Sequence, residues 1–245
     1  MDRLFLLDAY ALIYRAYYAF IKSPRINSKG LNTSAILGFV NTLEEVLNKE
    51  HPSHIGVAFD PAGPTFRHEA YPEYKAQRSP MPDDLRSQIA PIHEVVRLMG
   101  WPVLDVPGVE ADDVIGTLAV AAARQGIDVV ISSGDKDLAQ LVNEHISIID
   151  TMSGKVRDLA GVEAEFGVPA RLMLDYQMLV GDTVDNVPGV HKVGPKTAVK
   201  LLQEYGSVDA LVARAGEVKG AVGENLRKAM DWLPTSRQLL TIKTD

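Results

Sequence analysis

The sequence predicts an α/β protein: a largely parallel sheet with crossover helices, followed by a smaller helical region. Three observations predict it. Apolar, strand-like runs alternate with helix-patterned stretches up to about Ile149, as in crossover-connected sheets. Beyond about Leu159 the strand signal fades, and short helical stretches separated by Gly and Pro take over. Acidic residues follow the strand-like runs, and a parallel sheet gathers such positions at one edge, outside the carboxyl ends of its strands.

The elements follow in order. The apolar run ending at Asp8 predicts a strand near Arg3–Leu7, with helices near Ala9–Phe20 and Thr33–Lys49. IGVAF predicts a strand at Ile55–Phe59. A helix near Asp84–Met99, a short strand at Val103–Val106 and a helix at Asp112–Arg124 come next. Strands at Asp128–Ser132 and Ser147–Ile149 complete the sheet. Helices at Val162–Phe166, Arg171–Val180, Lys196–Glu204, Val208–Ala213 and Ala221–Leu233 then form a subdomain packed on it. The expected division is 1–158 for the core and 159–245 for the helical subdomain. Pro61–Pro82 fits neither regime. Its Arg67, His68, Lys75 and Arg78 alternate with Phe66, Tyr71 and Tyr74 between prolines. Such interleaving suits single-stranded nucleic acid, because cations meet phosphates while rings stack on bases.

Composition excludes several classes. With no cysteine among 245 residues there is no disulfide, zinc–thiolate site or cysteine nucleophile. The start carries Asp2, Arg3 and Asp8, unlike the basic start and uninterrupted apolar core of a signal peptide. The longest apolar stretch, near Leu118–Ala123, is too short to span a bilayer, so the expectation is a cytoplasmic protein without a membrane partner. The net charge of −7 argues superficially against nucleic acid.

Nine of the acids, however, form five clusters: Asp8, Asp60, Glu110 with Asp112 and Asp113, Asp135 with Asp137, and Asp182 with Asp185. Setting them aside leaves 23 acids against 25 bases. A single Asp after a strand is ordinarily a helix cap; recurrence in five clusters, four of them after strand-like runs, points instead to a shared site. Gathered carboxylates repel unless a cation neutralises them, and oxygen-only ligands select Mg²⁺ or Mn²⁺. Seven or more acids suit two ions acting on a phosphodiester. The six histidines are scattered, and no Gly-rich phosphate loop or Ser–His–Asp set competes.

A second motif runs from Asn186 to Ala198. Gly189 and Gly194 permit a tight turn between helices, and Pro195 suits a first helical position. Backbone amides there can grip a phosphate, with Lys192 and Lys196 adding charge.

On TFRHEAYPEYKAQR, MPDDLR, GVEADDVIGTLA, SSGDKDLAQLV, GDTVDNVPGV, VGPKTAVKLL and QLLTIKTD, the chain resembles the 5′ nuclease (5′-3′ exonuclease, flap endonuclease-like) domain of bacterial DNA polymerase I over essentially its whole length. The resemblance implies a PIN-like, resolvase-like sheet flanked by helices and a helical arch at about 61–83. It also implies a C-terminal helix-turn-helix of the helix-hairpin-helix type. Function would be metal-dependent 5′-3′ exonuclease or flap endonuclease action on branched or nicked DNA in replication and repair. Asp8, Asp60, Glu110 and Asp112 would surround one ion. Asp135, Asp137 and Asp185 would serve a second, with Asp113 and Asp182 nearby or acting through water. Two Mg²⁺ or Mn²⁺ ions, or a third besides, are implied. Lys75 and Arg78 would contact the scissile phosphate, so the catalytic set is Lys75, Arg78, Asp8, Asp112 and Asp135. Arg15 and Arg67 would meet phosphate, and Tyr74 would stack on an unpaired base. Gly189, Val190, Lys192, Gly194, Lys196 and Thr197 would hold duplex DNA, with a K⁺ at the turn. A DNA polymerase, linked or separate, and a monomeric state complete the expectation. One departure is Ala9-Tyr10, where the family often has Gly and a small polar residue.

Three alternatives make different predictions. A phosphatase of the haloacid dehalogenase type needs an Asp where Tyr10 stands. A silent junction-binding module would not need the complete acid set. A PIN-class RNase would lack the arch and the Gly-Pro-Lys hairpin.

Overall fold

The computed structural model describes residues 2–151 and 153–245. Its centre is β1 (Arg3–Asp8), whose continuous apolar run is buried on both faces of the sheet, as parallel strands demand. The chain continues through α1 (Ala9–Ala19), α2 (Ser34–Glu50), β2 (His54–Phe59), α3 (Phe66–Ala70), α4 (Asp83–Leu98), β3 (Val103–Asp105), α5 (Ala111–Ala123), β4 (Asp128–Ser132), β5 (Ile146–Asp150) and β6 (Lys155–Arg157). The sheet order is β3-β2-β1-β4-β5-β6, parallel except for β6.

The alternation of side chains along β1 builds two cores. Phe5 and Leu7 face Phe39, Leu43, Ile92 and Val96 of α2 and α4. Leu6 belongs to the other cluster, with Ile115, Ala119 and Ile131. That second cluster runs without a break into α6 (Leu159–Phe166), α7 (Met173–Val180), β7 (Gly181–Asp182), β8 (Val187–Pro188), α8 (Pro195–Tyr205), α9 (Val208–Ala213), α10 (Gly220–Ala229) and α11 (Leu233–Leu240). The helical region packs on the core through the turn Asp137–Leu141 after β4, α6 against β6 and α11 against α3, while the C-terminal tail lies on α5.

Two expectations change here. The helix expected over Ala221–Leu233 is two helices, because Pro234 sits in the first turn of α11 and restarts the chain there. The helical arch expected over about 61–83 is one short helix, α3, followed by turns. Those turns dock on the β7–β8 loop: the Lys75 amide donates to Asp185 O (3.0 Å), and Gln77 Nε2 donates to Thr183 O and Val184 O.

β1 is followed by α1, α2 and β2 on one side, whereas β4 pairs on its other side. The direction of strand addition thus reverses at β1. A cleft is expected at such a switch point, outside the strand ends.

Candidate active site

The strand ends deliver the acids. Asp8 closes β1 and caps α1: its Oδ1 accepts from the Ala11 amide (3.1 Å) and its Oδ2 from Ser133 Oγ (2.8 Å). Asp60 follows β2 and accepts from the Ala111 amide (2.8 Å), which ties β2 to the start of α5. Glu110 caps α5 in a reciprocal box with Asp113. Asp135 follows β4 and accepts from the Asp137 amide (2.9 Å). Asp182 Oδ1 accepts from the Val184 and Asp185 amides (2.8 and 3.2 Å), which fixes the β7–β8 loop. A cleft of about 380 Å³ is lined by Asp8, Asp60, Glu110, Asp112, Asp135, Tyr10, Tyr14, Lys75 and Arg78.

The electrostatics show acids under strain. Burial, with the charges of Asp60 and Asp135, pushes the Asp8 carboxyl up to about 6 despite its two hydrogen bonds. Burial and the charges of Asp135, Asp8 and Asp60 hold Asp112 well above the usual range. Burial, with Asp135 opposite, raises Asp137 to about 7. Burial also raises Asp60. Asp182 is the exception: burial works against its charge, but Lys136 together with the Asp185 and Val184 amides outweighs burial and lowers it.

The protein's own cations supply part of the missing charge. Lys75 Nζ lies 2.7 Å from Glu110 and 3.7 Å from Asp185, and Arg78 Nη2 lies 2.5 Å from Asp185. Burial opposes the Lys75 charge, yet Asp185 and Glu110 hold the ammonium above its ordinary value. The donor set is carboxylate oxygen throughout, which fits a hard divalent ion. Among the described residues no three acids are arranged to hold an ion as they stand. The present arrangement is one gathered around ammonium and guanidinium groups.

Several expected contacts take other roles. Arg67 is 3% exposed and is no surface phosphate ligand. Its guanidinium grips both Asp113 oxygens (2.6 and 2.8 Å), Leu239 O (2.8 Å) and Thr241 O (2.9 Å). Asp113, at 2% exposure, is correspondingly saturated and points away from the cleft. Tyr74 is buried and offers no stacking face to a base. Its hydroxyl reaches Glu110 and Asp185 (2.9 and 2.8 Å), so it braces the two acids. Val190 is buried and its amide donates to Leu179 O, so it anchors the hairpin rather than a phosphate. Arg15 pairs with Asp150 at 3.0 Å and with Thr151.

The hairpin between α7 and α8 keeps its other expected features. Gly189 lies so close to β7 that a Cβ there would sit 2.4 Å from the Val180 carbonyl carbon. Lys192 adopts a left-handed φ of 62°, Gly194, Lys192 and Lys196 are exposed, Thr197 is half-buried, and Pro195 opens α8.

Sequence reasoning missed Ser133, Gln177 and Lys136. Gln177 Nε2 donates to Asp137 Oδ1 at 2.5 Å. Ser133 and Lys136 flank acids in SSGDKD, which is a usable signal. Gln177 has none, because it arrives from a distant helix.

The raised acids give a pH prediction. A carboxyl raised on folding stabilises the fold below its unfolded value and loses that contribution as pH rises through its folded value. For Asp8 the window runs from the ordinary 3.8 to about 6. In chelator, Asp8→Asn should therefore gain on the native protein by about 2 kcal/mol between pH 4 and pH 7. Urea denaturation at both pH values measures the gain; an unchanged difference refutes the assignment.

The family model "5'-3' exonuclease, N-terminal resolvase-like domain" matches residues 3–167, and "5'-3' exonuclease, C-terminal SAM fold" matches 168–245. The chain is 47% identical to DNA polymerase I of Pseudomonas aeruginosa over 99% of its length, but spans only 27% of that protein. It is 44% identical to a 5'-3' exonuclease of Aquifex aeolicus, over 86% of this chain and 73% of the relative. Among solved structures, the T5 5'-exonuclease with bound zinc superposes with a TM-score of 0.83 at 21% identity, covering 99% and 90% of the two chains. A T5 flap endonuclease complex with DNA and metal ions gives 0.82 at 21% identity, covering 99% of this chain and 90% of the other. At such identities these two show the fold.

Proposed function

The chain belongs to the 5′-3′ exonuclease family, and from that premise we propose that it hydrolyses DNA phosphodiesters at 5′ flaps, nicks and RNA-primer ends during replication and repair. The observation that carries this reading is the carboxylate cleft at the switch point of the sheet, with Lys75 and Arg78 poised on its wall.

Asp8, Asp60, Glu110 and Asp112 are proposed to hold one Mg²⁺ or Mn²⁺, and Asp135, Asp137 and Asp185 a second, with Asp182 beside that second ion through Oδ2 while its Oδ1 fixes the loop that carries Asp185. That the T5 structures of the same fold hold divalent metal ions is in keeping with a metal site here. Bound there, divalent ions would supply charge neutralisation and Lewis-acid polarisation of the phosphate. Lys75 and Arg78 would leave Glu110 and Asp185 to meet that phosphate and stabilise its developing charge. Tyr74 keeps Glu110 and Asp185 in register. Lys192, Lys196 and the start of α8 would hold the duplex, with K⁺ at the turn. A polymerase is the natural partner, since the chain spans about a quarter of the polymerase relative. Among the described residues no helix is long and apolar enough to cross a membrane; the proposed setting is the cytoplasm and the proposed state a monomer.

A labelled 5′-flap duplex incubated with Mg²⁺ should be cut near the single-strand/duplex junction, leaving a 5′-phosphate, and chelator should abolish the cut. Binding without cutting would favour a junction-binding module. Cutting of single-stranded RNA without a duplex would favour an RNase.

A further inference from the structure

Lys136 belongs to no expected role, yet it sits at the centre of the second acid cluster. It lies in the turn after β4, between Asp135 and Asp137. Its ammonium pairs with Asp182 Oδ2 and lies 3.2 Å from Asp137 Oδ1. These two acids come from parts of the chain 45 residues apart, and they are largely buried, with side-chain exposures of 13% for Asp137 and 3% for Asp182. Among the described residues Lys136 is the only cation paired with either of them. Without it, two buried carboxylates would face each other unneutralised, at a large cost.

We propose that Lys136 is a built-in counter-ion that stands in the second cation site of the metal-free protein and is displaced when a divalent ion enters. The inference rests on the two-ion reading of the site. Three features support displacement over a fixed salt bridge. Lys136 keeps 37% of its side chain exposed, so the ammonium can swing to water without stranding a buried charge. Asp182 Oδ1 is committed to the Val184 and Asp185 amides, whereas Oδ2 is held by Lys136. The acid therefore stays in place when the lysine leaves. Finally, a divalent ion and an ammonium cannot share one pair of oxygens, because like charges at that separation repel strongly. Occupancy by one excludes the other.

The test follows the lysine and the metal separately. Mn²⁺ binding is counted by electron paramagnetic resonance of the free ion. Lys136 is probed by limited acetylation read by peptide mass, with exposed Lys29 as reference. In chelator Lys136 should be protected relative to Lys29. Saturating Mn²⁺ should raise its acetylation several-fold and leave Lys29 unchanged. In Lys136→Met, Mn²⁺ at the weaker site should bind about tenfold tighter, the equivalent of one lost ion pair. The same variant should melt lower than the native chain in chelator but match it when Mn²⁺ is saturating. Mn²⁺ binding with unchanged Lys136 acetylation overturns the proposal and leaves the two-ion reading intact. So does equal destabilisation in both states, the mark of a fixed salt bridge. Absence of Mn²⁺ binding overturns both.

Discussion

Asp112→Asn is expected to lower flap cleavage by at least about 10³-fold while leaving the metal-free protein as stable as the native chain or more so. Both halves follow from one environment. Asp112 lines the cleft, and its carboxyl is pushed well up by burial and by Asp135, Asp8 and Asp60. Among the described residues no hydrogen-bond donor reaches it. Its charge is thus a burden on the fold that only a bound cation relieves. Asparagine removes the burden and, with it, an anionic ligand. Single-turnover cleavage of a 5′ flap, paired with urea denaturation in chelator, measures both effects. Native-like cleavage by the variant in saturating Mg²⁺ would refute the metal assignment. A less stable apo-protein would refute the charge-repulsion argument.

Arg67→Met is expected to destabilise the fold by about 3–5 kcal/mol. The guanidinium is the hub joining three segments: α3, the start of α5 through Asp113, and the C-terminal tail through Leu239 O and Thr241 O. The Lys243 amide donates to the same Asp113 (2.9 Å). The tail lies so close to α5 that a Cβ on Gly116 would sit 2.6 Å from Ile242 Cγ2. Methionine fills the space but strands Asp113, buried and uncompensated. A double-mutant cycle with Asp113→Leu separates the two contributions. If the loss comes from the stranded carboxylate, the double variant should recover most of the stability. Because Arg67 also lies 3.4 Å from Glu110, cleavage should fall in the single variant along with stability. A loss below about 1 kcal/mol, the range of an exposed pair, would mean that Arg67 is solvated in solution.

Much of this was legible residue by residue. Asp8 and Asp60 stand where apolar runs end, and that placement alone brings them to one edge. The period of two along β1 assigns Phe5 and Leu7 to one core and Leu6 to the other. Pro195 marks the start of α8 through a backbone constraint that needs no partner, whereas Gly189 is fixed by the close approach of Val180. In the segment at 61–83, composition does not separate Lys75 and Arg78, which reach the cleft, from Arg67 and Tyr74, which are drawn inward by Asp113 and by Glu110 and Asp185.

By itself the sequence determined the α/β class, the acidic edge and the Gly-Pro-Lys hairpin, because each depends on local spacing or a local backbone limit. Only the tertiary structure decided what each acid meets in place of a cation. Asp112 and Asp113 are identical in type and adjacent in sequence, but neighbours on a helix point about 100° apart. One of them opens to the cleft, and the other turns inward to Arg67. That choice was set by partners distant in sequence, Arg67 of α3 and the Lys243 amide of the C-terminal tail.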